Sequence, residues 1–121
     1  MALTDESEEQ VLELFEGVAS DLETAADETR KAAGGVRQAV AKREHGEPWQ
    51  EVVGGSSGRE LLARVASVAT RLSAATVRLR QGIVRGLTNE GIAVRRIAEF
   101  LGVSHQRISR VLKDAKRKEP F

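Results

Sequence analysis

The chain has no cysteine and no tyrosine, and only three phenylalanines, one tryptophan and two prolines among its 121 residues. Without cysteine there is no disulfide and no thiolate metal site, which suits a reducing compartment. With so few aromatics, a core must come from Ala, Leu and Val, and that favours helices meeting along small-residue seams. No apolar run approaches the roughly 18 residues of a membrane span. The first residues are acidic where a secretory leader is basic. Strand-like alternation is nearly absent. These absences predict an all-α, cytoplasmic protein of one compact domain, or a small binding domain carrying a helical arm.

Chemistry-bearing residues are equally sparse. There are two histidines, no phosphate-cradling glycine motif and no paired metal-ligand spacing. The expectation is a protein that is not an enzyme and uses no cofactor or metal. Glu8, Glu9, Glu13 and Glu16 cluster, but at helical spacing they read as a charged, solvated face.

What is abundant is charge, and it is segregated. Residues 1–60 hold 14 acidic and six basic side chains, a net −8, whereas residues 61–121 hold 13 basic and four acidic ones, a net +9. The basic half calls for a polyanionic partner, with nucleic acid the obvious one. The alternative is two solvated faces that neutralise each other within the molecule.

Val11, Phe15, Val18, Leu22 and Ala25 recur at alternating spacings of four and three, which predicts a helix from about Ser7 after a polar, frayed start. Its acidic first turns suit the positive end of the helix dipole. Gly34-Gly35 should weaken or kink it, at about 1 kcal/mol per glycine, but the seam resumes through Ala32, Val36 and Ala39. Gly46 is the natural end. Pro48 then suits the first turn of a short helix bearing Trp49, Val52 and Val53, with Trp49 expected as a packing anchor. Residues 54–58 read as a turn or connector. Leu61, Val65, Val68, Leu72, Ala75 and Leu79 step by four and three again, and Ile83 and Leu87 carry this helix to a loop at residues 88–91. Near 30 residues, it would be about 45 Å long, unless it breaks near Ser73.

The segment from Val94 to Lys113 has a different grammar. Ile97 and Leu101 on one helix oppose Ile108 and Val111 on the next, and Ala98 is small where two backbones must approach. Gly102 supplies the positive φ that ends the first helix, Val103 plugs the turn, and Ser104 caps the second helix. Ala93 offers no side-chain cap at the start, leaving Asn89 as an alternative.

This segment resembles the helix-turn-helix of bacterial regulators, including the similar segments of resolvase-type recombinases and sigma-factor promoter readers. The resemblance rests on Ile97-Ala98, Leu101-Gly102-Val103-Ser104, Ile108 and Val111. It covers about 20 residues, or about 40 with the preceding helix, and none of the acidic half. It implies a C-terminal tri-helical domain, and the four-three stripes before it predict long N-terminal helices with coiled-coil-like seams. The ranges are then an acidic helical region (1–56), a connecting helix (57–88) and the helix-turn-helix with its basic tail (89–121).

In such folds the second helix enters the major groove of double-stranded DNA. At roughly 100° per residue, Ile108, Val111 and Leu112 face inward and Gln106, Arg110 and Lys113 outward. Gln106 and Arg110 are the leading base readers, since Gln matches adenine and Arg matches guanine; Ser109 and His105 are further candidates. Arg95, Arg96, Ser104, Arg107 and Lys113 are assigned to phosphate, and Lys116, Arg117 and Lys118 form a basic tail that either grips flanking phosphate or simply ends a soluble helix.

The implied protein is a sequence-specific double-stranded DNA-binding regulator of transcription, located in the cytoplasm with the nucleoid, and a homodimer if its seams self-associate to read a two-fold site. The seams could equally close on each other within one chain. Two other functions stay open: an architectural DNA-binding protein of little specificity, and a helix-turn-helix adaptor that docks on another protein. The acidic N-terminal helix could itself carry a protein partner.

Overall fold

The structure is a computed structural model that describes residues 5–118, with side chains described for residues 7–114. Among these residues it is all-helical, without a strand: α1 (Asp5–Glu44), α2 (Trp49–Val53), α3 (Ser56–Asn89), α4 (Val94–Leu101) and α5 (His105–Lys118). None of the described helices is long and apolar enough to cross a membrane. Residues 1–4, where a frayed start is expected, lie outside the described residues.

Two helices are longer and more regular than their sequences predict. α1 runs unbroken for 40 residues through Gly34-Gly35. A side chain at Gly34 would meet nothing within 4 Å, whereas at Gly35 it would lie 3.1 Å from the Leu61 Cδ1 methyl. Gly35 therefore gives room for Leu61, and that packing offsets part of the entropy cost of glycine. α3 starts at Ser56 rather than after a connector ending at residue 58, and it passes Ser73 without a break over 34 residues.

The chain falls into two compact units, one made of residues 20–75 and the other of residues 1–19 together with 76–121. In the 20–75 unit, Ala25 and Ala32 of α1 and Ala75 of α3 are buried, with Val52 of α2. Small residues at these points permit close backbone approach. Trp49 is not the buried anchor its residue type predicts: half of it is exposed, with the Arg43 guanidinium 5.4 Å from the ring centroid.

In the other unit the first turns of α1 lie against the last turns of α3. Val11 approaches Gly86, and Phe15 approaches Gly82, so the two helices run antiparallel there. Beside them, Val84, Ile97, Ala98 and Ile108 form a buried core, ringed by Leu87, Ile92, Val94, Leu101, Val103, Val111 and Leu112. Three helices, the end of α3, α4 and α5, thus share one apolar centre. Ile97, Ile108 and Val84 are its largest fully buried side chains, each stabilising by about 1.5–3 kcal/mol.

The seams of α1 and α3 are each only half used. Val11, Val18, Ala25 and Ala32, spaced by seven, are buried, and Leu61, Val68, Ala75 and Gly82, also spaced by seven, are buried or half-buried. The alternate members, Phe15, Leu22 and Val36 on α1 and Val65, Leu72 and Leu79 on α3, stay substantially exposed.

Candidate nucleic-acid interface

The turn between α4 and α5 sets every side chain of the site. Gly102 takes φ +65° and ψ 32°, a left-handed conformation that costs a residue with a Cβ roughly 1–2 kcal/mol. Its N–H donates to the Glu99 carbonyl at 3.2 Å, and the Val103 N–H reaches back to the Ala98 carbonyl at 3.1 Å. This paired arrangement satisfies two carbonyls at the end of α4. The same pairing closes α1 at Gly46 and α3 at Gly91. Ser104 then starts α5, its hydroxyl oxygen accepting from the Arg107 N–H at 3.1 Å. α4 begins at Ala93 without a side-chain cap, and Asn89 belongs to α3 rather than serving as one.

With the turn fixed and Ile108 buried, α5 directs the opposite face outward. His105, Gln106, Ser109, Arg110 and Lys113 are all exposed on it. Arg107 is exposed too, at the margin of this face, and Ser104 is exposed at its start. Arg95 and Arg96 are exposed on α4, and the Arg96 guanidinium lies 5.7 Å from the Phe100 ring centroid. Phe100 is itself 60% exposed, so this cation–π contact lies at the surface. The side chains of Lys116, Arg117 and Lys118 lie outside the described residues.

His105, Gln106, Ser109, Arg110 and Lys113 also line a groove of about 1070 Å³. Arg95, Arg96 and Arg107 do not line it. Its other walls come from residues that sequence reasoning did not single out: Ser7, Gln10 and Val11 on α1, and Arg85, Thr88 and Asn89 on α3. Local spacing carries no signal for these, because the groove is lined jointly by α1, α3 and α5, which are far apart in the sequence. Among the described residues, no group of three or more His, Cys, Asp or Glu is placed to hold a metal ion.

The arrangement offers an exposed helix face that mixes amide, hydroxyl and guanidinium groups, with further guanidinium groups on the preceding helix. Side chains of these kinds can form directional hydrogen bonds to base edges and charge-assisted bonds to phosphate. No protein-family model matches the chain, and neither a curated protein nor a solved structure matches it.

Proposed function

We propose that the chain is a sequence-specific double-stranded DNA-binding protein that regulates transcription, with α4 and α5 as its helix-turn-helix and α5 as the helix that enters the major groove. The observation that carries this reading is the outward face of α5. Gln106, Ser109 and Arg110 lie on it together and exposed, directly after a glycine-closed, serine-capped turn. Gln106 and Arg110 read base edges, with Ser109 and His105 beside them. Arg95, Arg96, Ser104, Arg107 and Lys113 hold phosphate and set the register. The amide and hydroxyl groups favour this reading over a purely architectural one, since indifferent phosphate binding is served by Lys and Arg alone. Selection from random duplexes tests it: enrichment of a short motif that resists excess bulk DNA is expected. Equal retention of all duplexes would replace it with the architectural reading, and no retention at low salt with the adaptor.

The half-used seams support self-association. Phe15, Leu22 and Val36 on α1 and Val65, Leu72 and Leu79 on α3 are apolar, regularly spaced and still 36–50% exposed. A second copy of the chain is the partner whose own exposed seams match them, and two copies would present two α5 helices to a two-fold DNA site.

A further inference from the structure

The helical hairpin of the 20–75 unit leaves one apolar face exposed. On α1, Leu22, Ala26, Thr29, Ala33, Val36 and Val40 step by four and three, beside the buried Ala25 and Ala32. Leu22, Val36 and Val40 are 45–47% exposed. The only polar member, Thr29, donates its hydroxyl to the Ala25 carbonyl at 2.7 Å, so the stripe demands no donor or acceptor from whatever covers it. On α3, Leu62 and Val65 are 73% and 50% exposed. Leu22 and Leu72 line one open groove of about 490 Å³ together with Ala26, Thr29 and Ala33, so both helices contribute to the same face. Contiguous exposed apolar surface of this kind marks an interaction site.

The charges along α1 identify the partner. Residues 20–28 hold four acidic side chains and no basic one, whereas residues 30–43 hold five basic side chains and no acidic one. The changeover falls at Thr29, and Leu22 and Val36 lie seven residues to either side of it. A helix polarised in this way is complementary to itself run backwards. We infer that two copies of the chain pack these faces together about a two-fold axis at Thr29, with α1 antiparallel on α1 of the second copy. Leu22 then lies level with Val36 of the second copy, and the acidic stretch of each helix lies beside the basic stretch of the other. Glu23 and Arg37, both exposed, come nearly level with each other across the contact. The same patch serves both copies, as a two-fold interface requires, and the two hairpins form a four-helix bundle. The other face-to-face packing sets α1 on α3 of the second copy. It places the basic stretch of α1 beside Arg59, Glu60 and Arg64, a net positive segment, so charge selects against it.

This inference rests on the self-association proposed above and specifies its geometry. The chain has no cysteine, so single introduced cysteines report on it. Leu22→Cys and Val36→Cys, mixed and allowed to exchange, should form a dimer linked by a short bismaleimide. Neither variant alone should link, because like positions lie about 21 Å apart along the antiparallel pair. Thr29→Cys, at the axis, should link to itself. Arg37→Glu should raise the dissociation constant of the dimer by about tenfold, and adding Glu23→Arg should recover it.

Self-linkage of Leu22→Cys overturns the inference, because it requires a parallel pair. Linkage of Ala33→Cys to Val65→Cys in a mixed sample also overturns it, because it seats α1 on α3. Sedimentation of the same proteins separates this geometry from the reading beneath it. A dimer without the link between positions 22 and 36 removes only the geometry, and a monomer removes both.

Discussion

The Ser104 hydroxyl oxygen accepts a hydrogen bond from the backbone N–H of Arg107 at 3.1 Å, and this contact caps α5 at its start. Ser104→Ala should therefore cost about 0.5–2 kcal/mol, as capping losses do. Urea denaturation of the variant checks this; an unchanged midpoint would mean that the cap contributes nothing to stability.

Glycines in this chain should respond to alanine in opposite directions. Gly102→Ala places a Cβ on a residue at φ +65° and should destabilise by roughly 1–2 kcal/mol. Gly34→Ala, in the interior of α1 with nothing within 4 Å, should stabilise by about 0.5–1 kcal/mol. Gly35→Ala should not match that gain, because Leu61 lies 3.1 Å from the added carbon. Thermal melts of the three variants side by side provide the comparison.

The two classes of DNA contact should separate under mutation. Arg110→Ala is expected to relax base preference at one position and to cost roughly 1–3 kcal/mol on the preferred duplex. Arg96→Ala should weaken all duplexes alike and lower the salt slope by about one. Binding isotherms at several salt concentrations distinguish them. An Arg110→Ala protein with unaltered site preference would show that α5 does not read bases through this residue.

Self-association should depend on the exposed half of the seams. Sedimentation at micromolar concentration is expected to give a dimer, and Val65→Glu with Leu72→Glu a monomer of unchanged helicity. Both positions are substantially exposed in the single chain, so charge there should disturb the partner contact and not the fold. A wild-type monomer under these conditions would remove the proposed dimer.

Legibility in the sequence followed the range of the interactions. The turn at Gly102 was readable because its determinants, Ala98, Gly102 and Ser104, sit within seven consecutive positions and act through local backbone geometry. The four-three seams of α1 and α3 were readable as helices, but not which half of each seam would be covered. Val11 and Phe15 look equivalent in sequence; only the approach of α3 buries the first and leaves the second 40% exposed. Gly34-Gly35 reads as a break on propensity alone, yet the helix continues, with Leu61 filling the space beside Gly35. The groove walls at Ser7, Gln10 and Arg85 were silent for the same reason, since no local pattern announces that elements so far apart line one groove.

The division of the chain into residues 20–75 and residues 1–19 with 76–121 has a consequence for synthesis on the ribosome. The 20–75 unit is contiguous, and its partners emerge together. The other unit is not: Val11 and Val18 leave the exit tunnel long before Val84, Ile97 and Ile108 exist. Closing so distant a pairing carries the loop entropy that slows folding. The half of the protein that bears α5 is thus the last to assemble, and a nascent chain stalled before Thr76 would carry an acidic helix start with no groove to complete.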